Sequence, residues 1–265
     1  MNLSGRAPLR LVLLILLAIG AATPARAEDP EIAKRRAGEQ KTFTDAQIFE
    51  GFFKIAFGAE MLIAGRADRI RKYDRPVRVF AESRALPDRR AAVAAVVADI
   101  KRHVPHLDIA MTADRKTADV VVRLVRNRDL AATLRAAYGR DRARKIQRSL
   151  EPQCLSGFEK DASFRILRSD VFLVADAGDF IFYDCAYEEI LQSLGPINDD
   201  PSVPWTMFND DVQMGFFDVY DQYLLNILYH PRVRPGMSRE EVRALLPEIM
   251  PEVRAWVAKV NNLSP

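Results

Sequence analysis

Lysine and arginine are missing from Ser169 to His230, a stretch that carries 12 Asp and Glu. A concave site built there would attract cations, metal ions or basic peptides. Histidine is scarce as well, at three residues. His103 and His106 flank Pro105 and cannot share a helix face, which leaves them packing or surface roles. His230 precedes Pro231 at a helix end, where a cationic ring suits the dipole. No GxSxG elbow and no Gly-rich phosphate loop occurs, which excludes the usual serine-hydrolase and P-loop chemistries. There is no internal repeat and no low-complexity tract. After residue 22 no apolar run approaches the length of a membrane span, so no transmembrane segment is expected beyond the leader.

What is present begins with a leader. Arg6 and Arg10 precede the apolar run LVLLILLAIGAA, and Ala25-Arg26-Ala27 follows. This is the layout of a secretory signal peptide cleaved after Ala27, and the expected location is a bacterial periplasm or the exterior. With no cysteine next to that point, a lipid anchor there is not expected. The remaining 238 residues or so suit one large domain or two small ones. Only Cys154 and Cys185 exist, and in an oxidising compartment an even pair suggests a disulfide.

The formal charge of +3 belongs to the leader, whose three arginines face no acid. The neutral remainder is strongly polarised. Arg66 to Arg148 holds 22 Lys and Arg against 10 Asp and Glu. Solvated helix faces explain such a stretch, and Tyr73 and Tyr138 interleave it too thinly for base stacking. No nucleic-acid partner is expected.

Along the chain, residues 28–42 are polar and read as a flexible lead, with one domain over 43–265. Thr44 and Gln47 form a capping box and Phe43 faces Ile48 as a staple. Ile48, Phe52, Ile55, Ala59 and Leu62 mark the apolar face of that helix. A strand over Val77 to Glu82 precedes a helix opened by Pro87 and Asp88, with Val93, Val97, Ile100 and Val104 inward. A strand follows from Asp119 to Val125, then an Arg-rich helical stretch to about Leu150, then an extended region from Phe164 to Ala175. A helix is predicted over Val212 to Tyr229. Ser238 and Glu241 form a second capping box, and Pro247 and Pro251 break the tail into two short helices ending near Val260. Strands followed by helices indicate an α+β fold with segregated layers.

The segment CAYEEILQSLGPIND, residues 185–199, carries the chemistry. A helix to Leu194 places Glu188 and Gln192 on one face, a turn apart. Gly195 suits the left-handed residue that ends a helix, and the chain then folds Asn198 and Asp199 back toward that face. Zinc helices of the form HExxHxxGxxH use the same spacing.

The stretch EExxQxxGxxND, with Met207 in VPWTMFND nine residues after Asn198, resembles the active-site helix and methionine turn of metzincin proteases, matrixins especially. Residues from about Phe43 to Met237 resemble the proteobacterial Domain of Unknown Function 2927 family, through CAYEEILQSLGPIND, MFNDD and DQYLLNILYHPRVRPGM. The resemblance implies an exported protein with a metzincin-like single domain, a mixed sheet and no established activity. It places Glu189 where a general base would act and Met207 beneath the helix with Trp205 and Phe208. All three histidine positions are replaced, by Glu188, Gln192 and Asn198, and zinc prefers nitrogen and sulfur. No cofactor is therefore expected. Three readings stay open. In the first, Gln192 and Asn198 hydrogen-bond loop backbone in a binding or scaffold module for an envelope protein, peptide or glycan. In the second, Glu188, Gln192, Asn198, Asp199 and Asp200 hold calcium or another divalent cation, in a hydrolase with Glu189 as base. In the third, Glu188 and Glu189 act without metal, although neighbouring helical residues point about 100° apart and make a poor facing pair.

Overall fold

The computed structural model describes residues 28–58, 68–149, 154–196 and 198–263. The predicted leader, and the Ala59 and Leu62 end of the first predicted helical face, lie outside the described residues. The fold is α+β, built on a five-stranded mixed sheet in the order β2-β1-β3-β5-β4. The strands are β1 (Val77–Ser83), β2 (Ile109–Met111), β3 (Val120–Val125), β4 (Cys154–Lys160) and β5 (Ile166–Val174). The first four in that order run parallel, and β4 pairs antiparallel with β5 at the edge. Central β3 reads VVVRLV, the nearly continuous apolar run of a strand covered on both faces.

Alternation along β3 and β5 divides the core. Val120, Val122, Leu124, Val171 and Leu173 join the main cluster, while Val125, Phe172 and Val174 join a smaller one on the opposite face. The main face is covered by α3 (Arg90–His103) and α6 (Asp179–Gln192). The smaller cluster takes Leu130 and Leu134 from α4 (Asn127–Tyr138) and Ala143 and Ile146 from α5 (Arg140–Ser149). Helices thus lie on both faces rather than in one segregated layer.

Several sequence expectations are corrected. Residues 28–42, expected as a flexible lead, contain α1 (Pro30–Gly38), in which Ile32 is buried. Arg35 donates to the Gln213 carbonyl at 2.5 Å, and the Arg36 guanidinium stacks 4.1 Å from the Phe216 ring centroid. The Thr44 capping box is present on α2 (Asp45–Ala56). Helix α7 starts at Val219 rather than Val212, because the Asp218 side chain accepts from the Asp221 amide and caps it there. It runs to Tyr229 with every residue buried.

The tail is one helix, α8 (Arg239–Val260), not two, and it opens on the expected box of Ser238 and Glu241. Pro247 and Pro251 are both exposed, four residues apart. The hydrogen bonds that proline removes are therefore lost on the water side. Leu246, Ile249, Met250, Val253 and Val257 stay packed inward.

A disulfide joins Cys154, the first residue of β4, to Cys185 in α6. It fastens the antiparallel edge strand to the helix that carries the acidic segment. Replacing both cysteines with serine is expected to cost about 2–4 kcal/mol, as for other loops of this length, read from urea denaturation midpoints. An unchanged midpoint would show that packing alone holds the strand.

Candidate functional site

Helix α6 begins after Gly178 and presents Asp184, Glu188 and Gln192 at four-residue spacing, one above the other. Each is met by a different part of the fold. The Met214 and Gly215 amides donate to Asp184 Oδ1 at 2.7 and 3.1 Å. Ser156 Oγ of β4 donates to Gln192 Oε1 at 3.2 Å, and Gln192 Nε2 donates to Asp199 Oδ1 at 2.9 Å. Carboxylate oxygens of Glu188, Asp199 and Asp210 lie within 4.8 Å of one another.

The sequence-derived residues separate here. Glu188 and Asp199 come together, with Gln192 bonded to Asp199. Asn198 turns away and donates to the Lys54 carbonyl of α2 at 3.0 Å. Its amide lies so close to Gly58 that a β-carbon there would overlap it. Asp200 also turns away: its carboxylate accepts from the Ser202 amide at 2.9 Å and from the Ser202 hydroxyl. Neither makes the expected bond to loop backbone: Asn198 bonds the backbone of helix α2, and Gln192 pairs with two side chains.

Glu189 is buried at 6% exposure, and its charge acts on Glu188 and also on Tyr138 of α4. Gly195 ends the helical segment at φ +139°, the conformation expected of it. Met207 is buried and positioned from below by Asp221. The Met207 amide donates to Asp221 Oδ2 at 2.8 Å and Thr206 Oγ to Asp221 Oδ1 at 2.5 Å. Phe208 is fully buried, and Trp205 packs at the margin of the same core.

Electrostatics follow from this crowding. Burial, then the charges of Glu189, Asp199, Asp184 and Asp210, pushes Glu188 well above the usual carboxylate range. Burial pushes Asp184 up to about 6, opposed by its two amide donors. Asp200 moves the other way, held down chiefly by the Ser202 hydroxyl. No basic residue lies in the segment to balance these acids. Carboxylates this close retain a proton or attract a cation.

The donor set does not fit zinc. Gln192 Oε1 is taken by Ser156, Asn198 is turned to α2, and among the described residues no imidazole or thiolate joins the group. Carboxylates and carbonyls suit a hard cation such as calcium, which takes six to eight oxygens. Glu188, Asp199 and Asp210 supply part of such a set.

Sequence reasoning missed Asp210, Ser156 and Asp184. Asp184 was readable from its spacing, four residues before Glu188. Asp210 sits in the stretch free of basic residues, but only the loop path brings it to the helix. Ser156 gave no signal, because its strand was not foreseen.

No curated protein and no solved structure matches the chain. A family model described as a protein of unknown function, DUF2927, matches residues 45–248, from the first residue of α2 into α8. With most of its length inside that match, the chain belongs to the DUF2927 family.

Proposed function

We propose that the protein is an exported binding or scaffold module of the cell envelope, with a metzincin-like core whose zinc positions have been replaced. One observation carries the reading: of the three positions equivalent to zinc ligands, Gln192 is bonded at both ends of its amide and Asn198 faces the α2 backbone. These groups tie α6 to β4 and the loop after α6 to α6 and α2 instead of converging on one point. The buried Met207 loop, tied to α7 through Asp221, supports the scaffold reading. Export is proposed from the leader, with cleavage after Ala27 and residence in the periplasm or outside. The partner proposed is an envelope protein, peptide or glycan.

The competing reading is a peptidase-like hydrolase using a hard cation. It draws on the closeness of Glu188, Asp199 and Asp210. Its base would be Glu189, but a general base must reach the substrate, and Glu189 is buried.

Protein purified without added metal is expected to contain no stoichiometric zinc and to cleave neither peptide libraries nor peptidoglycan. Elemental analysis near one zinc per chain would overturn the reading. So would turnover that vanishes in an equally stable Glu189→Gln protein. Saturable calcium binding that is lost in Asp199→Asn, together with such turnover, would establish the competing one.

A further inference from the structure

A cleft of about 260 Å³ opens on the face of the sheet opposite α6. It lies at the carboxyl ends of parallel strands β1 and β3, beside α4. Open sheets with parallel strands bind ligands in crevices at that end. Arg84, Arg115 and Arg123 line it with Glu82, and Thr133 and Ala136 of α4 form the opposite wall. The acidic site uses none of these residues.

Arg115 and Arg123 are set in place before any ligand arrives. Glu82 stands opposite Arg123 in the β1–β3 register. Its carboxylate accepts from Arg115 Nη1 at 2.5 Å and pairs with Arg123 Nε at 3.2 Å. Arg123 Nη1 also donates to Asp170 at 2.6 Å, and its guanidinium lies 5.0 Å from the Phe172 ring centroid. Among the described residues none pairs with the exposed Arg84 side chain. Each guanidinium has five N–H donors. The bonds above engage two nitrogens of Arg123, one of Arg115 and none of Arg84. Glu82 and Asp170 balance Arg115 and Arg123, and the charge of Arg84 leaves the cleft positive.

We propose that this cleft binds a small dianion through a phosphate or carboxylate group. A planar guanidinium with free N–H pairs is the group best matched to either oxyanion. At about 30 Å³ per water, the cleft has room for roughly nine waters, so it accepts an anion with an organic body attached. Leu124, Val125 and Ala136 supply an apolar lining for that body. This site is independent of the acidic helix and of the function proposed for it.

Calorimetric titration of the chain from Glu28 onward, at low ionic strength, tests it with glycerol 3-phosphate, inorganic phosphate and succinate as probes. Saturable one-to-one binding of at least one probe is expected. Arg84→Gln is expected to weaken it about tenfold or more, the scale of one lost charge-assisted hydrogen bond, without moving the melting curve of the free protein. Binding of the phosphates but not succinate identifies a phosphate source, and the converse a carboxylate source. Either supports the site. Absence of saturable binding for all three probes overturns it. So does binding of equal strength in an Arg84→Gln, Arg115→Gln double variant that melts like wild type, because the anion would then sit elsewhere.

Discussion

Gly195→Ala is expected to lower the stability of the protein by about 3–5 kcal/mol, among the largest effects of a single substitution. Two costs combine. The residue sits at φ +139°, where a side chain is strained, and its β-carbon would overlap the Arg71 carbonyl oxygen. That oxygen cannot swing aside as a side chain would. It belongs to a backbone pinned on both flanks, by Arg71 Nη2 on the Gly58 carbonyl at 2.6 Å and by Lys72 Nζ on the Leu228 carbonyl at 2.7 Å. Gly178→Ala provides the comparison. Gly178 has φ +96° but nothing within 4 Å of a built β-carbon, so only strain of about 1–2 kcal/mol is expected. Urea unfolding of both variants measures the difference. Equal losses would show that the close approach to Arg71 relaxes freely.

The second large effect is on pH. Asp184 and Asp221 have folded pKa values near 6, both raised chiefly by burial, against an ordinary value of 3.8. Between those values the folded protein holds protons that the unfolded chain has released. Stability therefore falls as pH rises from about 4 through about 6 and stays lost above. For Asp184 the shift corresponds to roughly 3 kcal/mol at most. Glu188 and Asp218, also pushed up, act with the same sign.

His103 and His230 are lowered by burial and oppose this just below 6.5. Lys72 is buried on the Leu228 and Val233 carbonyls and is lowered to about 7. The unfolded chain holds its proton up to 10.5, so Lys72 adds stability only as pH rises from about 7 toward 10.5. The melting temperature is thus expected to be higher at pH 5 than at pH 7. Asp184→Asn, which keeps an acceptor for the Met214 and Gly215 amides, is expected to raise it at pH 7 and reduce the slope. A melting temperature that climbs steadily from pH 5 to pH 7 would contradict the assignment.

Local signals in the sequence were reliable where one element decides its own form. The capping boxes at Thr44 and Ser238 and the apolar runs of β1, β3 and β5 are present as read. What escaped depends on partners distant in the chain. Strand β4 reads CLSGFEK, with a glycine and two charges, and exists by pairing with β5. Helix α1 has one buried apolar residue and is held by arginine contacts to the Gln213 carbonyl and Phe216. Helix α8 survives two prolines because both face water. In the site, four-residue spacing correctly aligned Glu188 with Gln192. The turn at Gly195 predicts that Asn198 and Asp199 return together, and only Asp199 meets the helix, because the Lys54 carbonyl of α2 holds Asn198.

The bridge between Cys154 and Cys185 has a topological consequence. It closes a covalent ring, from one cysteine to the other along the chain, that contains β4, β5 and the first turns of α6. A peptide bond cut inside that ring, as at the exposed Ala162 and Ser163 between the two strands, opens the chain but releases no fragment. The half bearing β4 and the half bearing the acidic helix remain one molecule until the sulfurs are reduced. In an oxidising compartment, a protease nicking the hairpin would therefore leave the mass unchanged apart from the added water.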